Sequence, residues 1–266
     1  MTYKLKAIDC EQYSFPTDLK KRNDEASMKE ELRLAAAFQK TIMPDKLECE
    51  YLNVSIYYQP ENIVSGDVYD FSLNRENEAG IFLGDATGHG IVAALMTMMV
   101  HIGLDGLPGN LSCDEVLRKM NILIAKRNTG RSIASCFMRI SPDGTLKVSH
   151  AGSPSIVVLT KQTGELICFD KGGCPLGMFI DEPVMYVEEQ YQLQSGDKII
   201  TFTDGIPEWR NAERSSFSED RLYGLLEEVK NLPIEEMNKN IVDAIKKHAA
   251  GILNHDDASL LIFEYQ

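Results

Sequence analysis

An apolar run at residues 79–83 leads into Gly84-Asp85-Ala86-Thr87-Gly88-His89-Gly90, and a second, longer apolar run at 91–104 leads out. A short apolar run, a glycine-hinged turn and a long apolar run predict a strand that turns directly into a helix. That junction constrains the fold, because it requires a sheet with a helix layer against it. It also puts Asp85 where the strand ends, and the glycines beside it let backbone pass close to whatever Asp85 holds.

Three other acidic sites sit in similar settings: Ser65-Gly66-Asp67, Thr203-Asp204-Gly205 and His255-Asp256-Asp257. Residues 53–58 alternate in strand fashion, and Val68, Tyr69 and Phe71 continue a strand after Gly66. The polar turn at 74–78 makes 67–71 and 79–85 a hairpin, which would bring Asp67 and Asp85 to neighbouring strand ends. A single Asp beside Gly is usually a turn residue; two on adjacent strands suggest a shared role.

Around this centre, Ser27-Met28-Lys29-Glu30 reads as a capping box that opens a helix running to Met43 before Pro44. Residues 1–23 show no period and are expected to be loosely ordered. Residues 91–104 are apolar nearly all round, which predicts a helix covered on most sides, with His101 as a packed or surface residue. Ser112-Cys113-Asp114-Glu115 is a second capping box. Short strands at 135–140, 146–150, 155–159 and 166–169 read as an antiparallel meander, with a loop at 172–177. Further strands are expected at 184–193 and 198–203, around the turn at 195–197. Ser218, Pro233 and Gly251 punctuate two helices, and 259–265 reads as a terminal strand in a sheet interior. Strands and helices are segregated rather than alternating, so the fold class is α+β.

Composition narrows the function. The net charge of −13 argues against nucleic acid, which is held mainly by Lys and Arg. The six cysteines show neither C-x-x-C nor zinc spacing, so they read as mostly buried free thiols in a reducing compartment. No apolar run is long enough to cross a membrane, and residues 1–10 lack the core of a signal peptide; a cytoplasmic protein is expected. Aspartates without paired histidines or cysteines favour hard cations, Mg²⁺ or Mn²⁺. Two such ions can activate water for in-line phosphoryl displacement. No G-x-S-x-G elbow competes.

In this order, Ser65-Gly66-Asp67-Val68-Tyr69-Asp70-Phe71, Gly84 to Gly90, Ala151-Gly152, Gly173-Cys174-Pro175-Leu176-Gly177, Thr203-Asp204-Gly205 and Asp256-Asp257-Ala258 resemble the motifs of the SpoIIE-like metal-dependent (PPM) bacterial protein serine/threonine phosphatases. The resemblance covers roughly residues 30–266. It implies the PPM fold, two antiparallel sheets packed face to face with helices outside, formed by residues 47–266. Residues 1–46 would be an N-terminal segment carrying a regulatory or dimerising helix. It implies hydrolysis of phosphoserine or phosphothreonine with two Mn²⁺ or Mg²⁺ ions. Asp85 would bridge the ions and the Ala86 carbonyl would ligate one. Asp67, Asp204 and Asp256 would complete the set, with Asp85 and Asp204 as the catalytic pair and Asp70 and Asp257 as second choices. The family's usual substrate is a phosphorylated STAS-domain anti-anti-sigma factor in a partner-switching pathway, and its helix often links to a sensor or forms a homodimer. Departures fall at Ser153, Ile206-Pro207 and Ala258-Ser259, and none removes a ligand position. His89 reads as structural rather than catalytic. The competing readings are a non-catalytic phosphoprotein-binding module with this fold and a hydrolase of small phosphate esters.

Overall fold

The computed structural model describes residues 21–127, 130–152, 154–169, 172–179 and 184–266. One sheet carries β1 (Leu52–Gln59), β11 (Ala258–Tyr265), β10 (Lys198–Phe202), β6 (Ser155–Leu159) and β7 (Leu166–Phe169) in that order. The other carries β2 (Asp67–Leu73), β3 (Ala79–Ala86), β4 (Ile133–Ile140), β5 (Thr145–Ala151) and β8 (Gly172–Gly173), with β9 (Glu189–Gln192) also paired to β5. All pairings are antiparallel except β5 with β8. The expected α+β sandwich is therefore present, and the loop expected at 172–177 contributes a short parallel strand at its start.

Alternation along the strands builds the layers. Ile81, Leu83, Cys136, Met138, Ile199, Leu261 and Phe263 face inward and form the core between the sheets. Opposite parity on the first sheet buries Ile200, Phe202, Leu260 and Ile262 under α4 (Glu219–Val229) and α5 (Ile234–Ala249). On the second sheet, Val68, Phe82 and Phe137 pack under α2 (Ile91–Asp105) and α3 (Cys113–Ala125). Each fully buried phenylalanine, such as Phe82, Phe202 or Phe263, contributes roughly 1.5–3 kcal/mol through its burial.

Several sequence expectations are corrected. The first helix, α1, runs Lys21–Ile42, so Ser27 lies inside it and is no cap. Residues 21–23 are helical, and residues 1–20 lie outside the described residues. The meander is broken, because β5 and β6 belong to different sheets. Only Glu189–Gln192 of 184–193 is strand, and β9 and β10 lie in different sheets rather than forming a hairpin. Local alternation reports strand character and carries no information about which sheet receives the strand. The helix α2 is not covered all round: Ile91, Val92, Leu95 and Ile102 are exposed. Cys113 and Cys136 are buried, whereas Cys168 and Cys174 are exposed. Among the described residues no helix is long and apolar enough to cross a membrane.

The capping box at Ser112 is formed, with its amide donating to Glu115 Oε2 at 3.0 Å. The terminal strand β11 lies between β1 and β10, in the sheet interior as expected.

Candidate active site

The same parity that builds the core builds the site. Positions 67, 69 and 71 on β2, and 81, 83 and 85 on β3, point between the sheets. Asp67 and Asp85 are direct cross-strand partners. Thr203, just past β10, and Ser259 on β11 continue the inward rows of the other sheet. Asp67 is buried, and its Oδ2 accepts from Thr203 Oγ1 at 2.8 Å and Ser259 Oγ at 2.6 Å. The Ser259 amide in turn donates to Thr203 Oγ1 at 2.9 Å. Asp67 therefore ties the two sheets together through one oxygen. Its other oxygen, Oδ1, is buried without a hydrogen-bond partner, as is Asp204 Oδ1.

Backbone packing around these carboxylates is close. The Ala86 amide donates to the Gly66 carbonyl at 3.1 Å, and a Cβ on Gly66 would come within 3.1 Å of the Ala86 carbonyl oxygen. A Cβ on Gly205 would come within 1.9 Å of the Asp257 carbonyl oxygen. Glycine is the residue that permits both approaches. The turn after Asp85 is held by Arg131, whose Nη1 donates to the Thr87 carbonyl at 2.6 Å and lies 2.2 Å from where a Gly88 Cβ would stand.

The electrostatics are those of an acidic cluster. Burial, then the charges of Asp204, Asp256 and Asp257, push Asp85 up to about 8. Burial, then Asp256 and Glu208, push Asp204 up to about 6. Partial desolvation of the otherwise exposed Asp256 raises it, with Asp257, Glu61 and Glu208 adding. Burial first and Asp85 second raise Asp67 well above the usual carboxylate range, against the opposing hydrogen bonds from Ser259 and Thr203. The strongest charged neighbours of these groups are thus other carboxylates, an arrangement that a bound cation relieves. Among the described residues no three Asp, Glu, His or Cys side chains close tightly enough to enclose an ion. Mg²⁺ and Mn²⁺ suit such a looser arrangement, since Mg²⁺ keeps several waters and takes few direct protein ligands. The two orphaned carboxylate oxygens and the mutual repulsion fit hydrated hard cations.

Each acidic position considered from sequence has a distinct place. Asp67, Asp85, Asp204 and Asp256 are brought into one electrostatic cluster, with the Ala86 backbone beside it. Asp70 is not, because its even position on β2 turns it to the outer face, where its Oδ2 meets His101 Nδ1 at 2.8 Å. Asp257 accepts from the Gly66 amide at 2.6 Å and the Glu61 amide at 2.8 Å, so it shapes the loop that delivers Asp67. His89 is exposed. Ser153 lies outside the described residues.

Sequence reasoning missed the roles of four residues: Thr203 and Ser259 through their hydroxyls, Arg131, and Gln39 of α1. Gln39 Nε2 donates to the Ser65 carbonyl at 2.8 Å and to Thr97 Oγ1 at 2.9 Å, and its Oε1 accepts from the Ser65 amide at 3.1 Å. Its place in the helical spacing of Leu32, Ala36 and Ile42, which are half-buried, was the available signal.

Comparison with known proteins agrees with this fold. Residues 75–266 match the Stage II sporulation protein E (SpoIIE) family. The chain is 27% identical to the phosphoserine phosphatase RsbU of Bacillus subtilis (strain 168) over 245 residues, covering 91% of this chain and 72% of RsbU. It is 22% identical to the phosphoserine phosphatase RsbP of the same organism over 243 residues, covering 89% of this chain and 58% of RsbP. Its fold is similar to the SiaA-PP2C domain of Pseudomonas aeruginosa, with a TM-score of 0.80 at 18% identity, covering 91% of this chain and 99% of that one. It is also similar to RsbX in complex with magnesium, with a TM-score of 0.64 at 14% identity, covering 83% and 98%. With the motifs in order, the sandwich in place and the carboxylates gathered at one end of it, the chain belongs to the SpoIIE family of metal-dependent PPM protein serine/threonine phosphatases.

Proposed function

We propose that this phosphatase removes phosphate from phosphoserine or phosphothreonine on a STAS-domain anti-anti-sigma protein, acting in the cytoplasm within a partner-switching pathway. The observation that carries the reading is the cluster of Asp85, Asp204 and Asp256, each raised by burial and then by neighbouring carboxylates, beside the orphaned oxygens of Asp67 and Asp204. Asp67, Asp85, Asp204 and Asp256, with the Ala86 carbonyl, would hold two Mn²⁺ or Mg²⁺ ions. When bound, such a pair lowers the pKa of a coordinated water and neutralises charge on the phosphoryl oxygens.

The remaining work falls to the chain itself. Asp85 and Asp204 supply the negative charge that concentrates the cations between the sheets. Thr203 and Ser259 orient Asp67 by occupying one of its oxygens and leaving the other free. Asp257 and Gln39 hold the 61–66 segment from two sides, fixing where Asp67 enters. The similarity to RsbU and RsbP supports a phosphoserine substrate, and no feature of the site favours a non-catalytic module, since none of the candidate acids is replaced.

The N-terminal helix is read as the regulatory element. It carries exposed Leu34 and Phe38, while α2, which it contacts, exposes Ile91, Val92 and Leu95. These faces would serve a homodimer or an upstream sensor protein, and Gln39 would pass a shift of the helix to the Ser65-Gly66-Asp67 segment.

The deciding experiment measures phosphate release from a phosphoserine STAS protein and from a small phosphate ester, with Mn²⁺ and with chelator. Metal-dependent turnover of the protein substrate, abolished in Asp85→Asn, is expected. Turnover that survives chelation, or an Asp85→Asn variant as fast as the parent, overturns the two-metal reading. Turnover of the ester but not of the phosphoprotein overturns the substrate assignment.

A further inference from the structure

A second site lies on the other face of the β2–β3–β4 sheet. Outward-facing residues run in cross-strand rows there, and one row reads Ser72, Gly80, Arg139. Its first two members are a small side chain and none at all, so the floor of this row is low. Here α2 ends at Asp105, and the segment leading to α3 crosses above the sheet without filling the space. The result is a cavity of about 790 Å³, within the range of small-molecule sites. Phe82, Phe137, Leu104 and Leu107 provide apolar walls. A Cβ on Gly80 would meet Ser72 Oγ at 2.5 Å and Phe137 Cζ at 3.1 Å, so the glycine keeps the floor open.

Arg139 lines this cavity and is only 7% exposed. Its Nη2 donates to the Leu111 carbonyl at 3.0 Å, and its guanidinium stands 5.6 Å from the Phe137 ring centre. Among the described residues its ion-pair partner is Glu78, at 3.8 Å, which accepts shorter hydrogen bonds, both 2.7 Å, from Asn74 and Ser141. Arg139 Nε is buried and has no partner.

We infer that this cavity binds a small aromatic monocarboxylate, with its carboxylate on Arg139 and its ring against Phe137 and Phe82. A single negative charge suits the site: Arg139 and Arg75 line it, while Asp70, Glu76 and Asp105 also line it and oppose a more highly charged phosphate or dicarboxylate. The site is separate from the metal-binding carboxylates. Ser72 and Gly80 are each five residues along the hairpin from Asp67 and Asp85, about 17 Å at the usual strand rise. The inference does not rest on the proposed substrate or metals.

The test titrates the full chain with 3-phenylpropionate and follows backbone amides by NMR, with 3-phenylpropanol as the probe lacking the carboxylate. Saturable shifts of Gly80, Leu107, Gly109 and Asn110 are expected, and binding at least about tenfold weaker for the alcohol, a difference of about 1.4 kcal/mol. Ser72→Trp fills the floor beside Gly80 from an exposed position and should abolish the shifts while leaving the remaining spectrum folded. Arg139→Gln should bring the acid's affinity down to that of the alcohol. No saturable shift up to about 10 mM, weaker than any useful specific site, overturns the site. Unchanged binding in Ser72→Trp places the probe elsewhere and also overturns it. Equal affinity for acid and alcohol refutes the assigned ligand class.

Discussion

Replacing Asp85 with Asn should make the metal-free protein more stable at pH 8. In the fold, burial and the charges of Asp204, Asp256 and Asp257 push the Asp85 carboxyl up to about 8, against about 3.9 in an unfolded chain. A carboxyl whose folded pKa is raised favours folding in its protonated form. Its contribution is complete below about pH 4 and is lost as pH climbs through about 8. At pH 7 the loss has a ceiling of about 4 kcal/mol, at 1.36 kcal/mol per unit. Asp204 titrates in the same window and shares the repulsion, so the two contributions do not add. The assay is urea unfolding at pH 5, 6, 7 and 8 in chelator, then with saturating Mn²⁺. The parent without metal should lose stability steadily from pH 5 to 8, and Asp85→Asn should fall less and exceed the parent at pH 8. Mn²⁺ should raise the parent well above its metal-free value and the variant far less, since binding to the folded state alone stabilises it by mass action. A metal-free parent whose stability is flat or rising over this range would refute the reasoning, as would an Asn variant weaker than the parent at pH 8.

Other perturbations separate the supporting residues. Gln39→Ala leaves both polar groups of Ser65 without their partner and should cost about 1–3 kcal/mol. If α1 controls entry of Asp67, the Mn²⁺ concentration for half-maximal activity should also rise several-fold; destabilisation with unchanged Mn²⁺ activation would make Gln39 purely structural. Gly88→Ala meets both a left-handed backbone, φ 86°, and the Arg131 guanidinium, and should destabilise by about 1–3 kcal/mol. Combining it with Arg131→Ala should restore part of that in a denaturation double-mutant cycle, whereas strict additivity would mean that Arg131 does not crowd the turn. Asp257→Asn should lower the melting temperature more than Asp256→Asn, because Asp257 is buried and accepts two backbone amides while Asp256 is exposed; Asp256→Asn should instead weaken metal affinity by calorimetry.

The local readings that held were those in which short-range pattern and chemistry agree. Alternation and turn residues marked β1, β2, β3 and the terminal strand, and the β2–β3 hairpin register follows from the polar turn at 74–78. The Ser112 box works because both partners lie within one helical turn. Ser259 shows how a departure from the family pattern can be chemically silent: its hydroxyl still reaches Asp67. The readings that failed were a helix start and a sheet assignment. Ser27 looks like a cap, yet the chain before it is already helical. The β4–β7 run looks like a meander, yet the chain changes sheets after Ala151. The second depends on strand partners far away in the chain.

For the site, the sequence alone determined which carboxylates were available, that Asp67, Asp85 and Asp204 sit at or near strand termini beside glycines, and that Asp256 precedes the last strand. Those are properties of residue type and spacing. Only the tertiary structure decided which of them meet. Inward parity on both sheets brings Asp67 and Asp85 toward Thr203 and Ser259, while one position's difference in phase sends Asp70 to the opposite face. It also decided that Asp257 builds the loop and that Gln39 ties the first helix to it. The physical reason is that ionisation and hydrogen bonding depend on distances across the fold, and those distances are set by the packing of the two sheets.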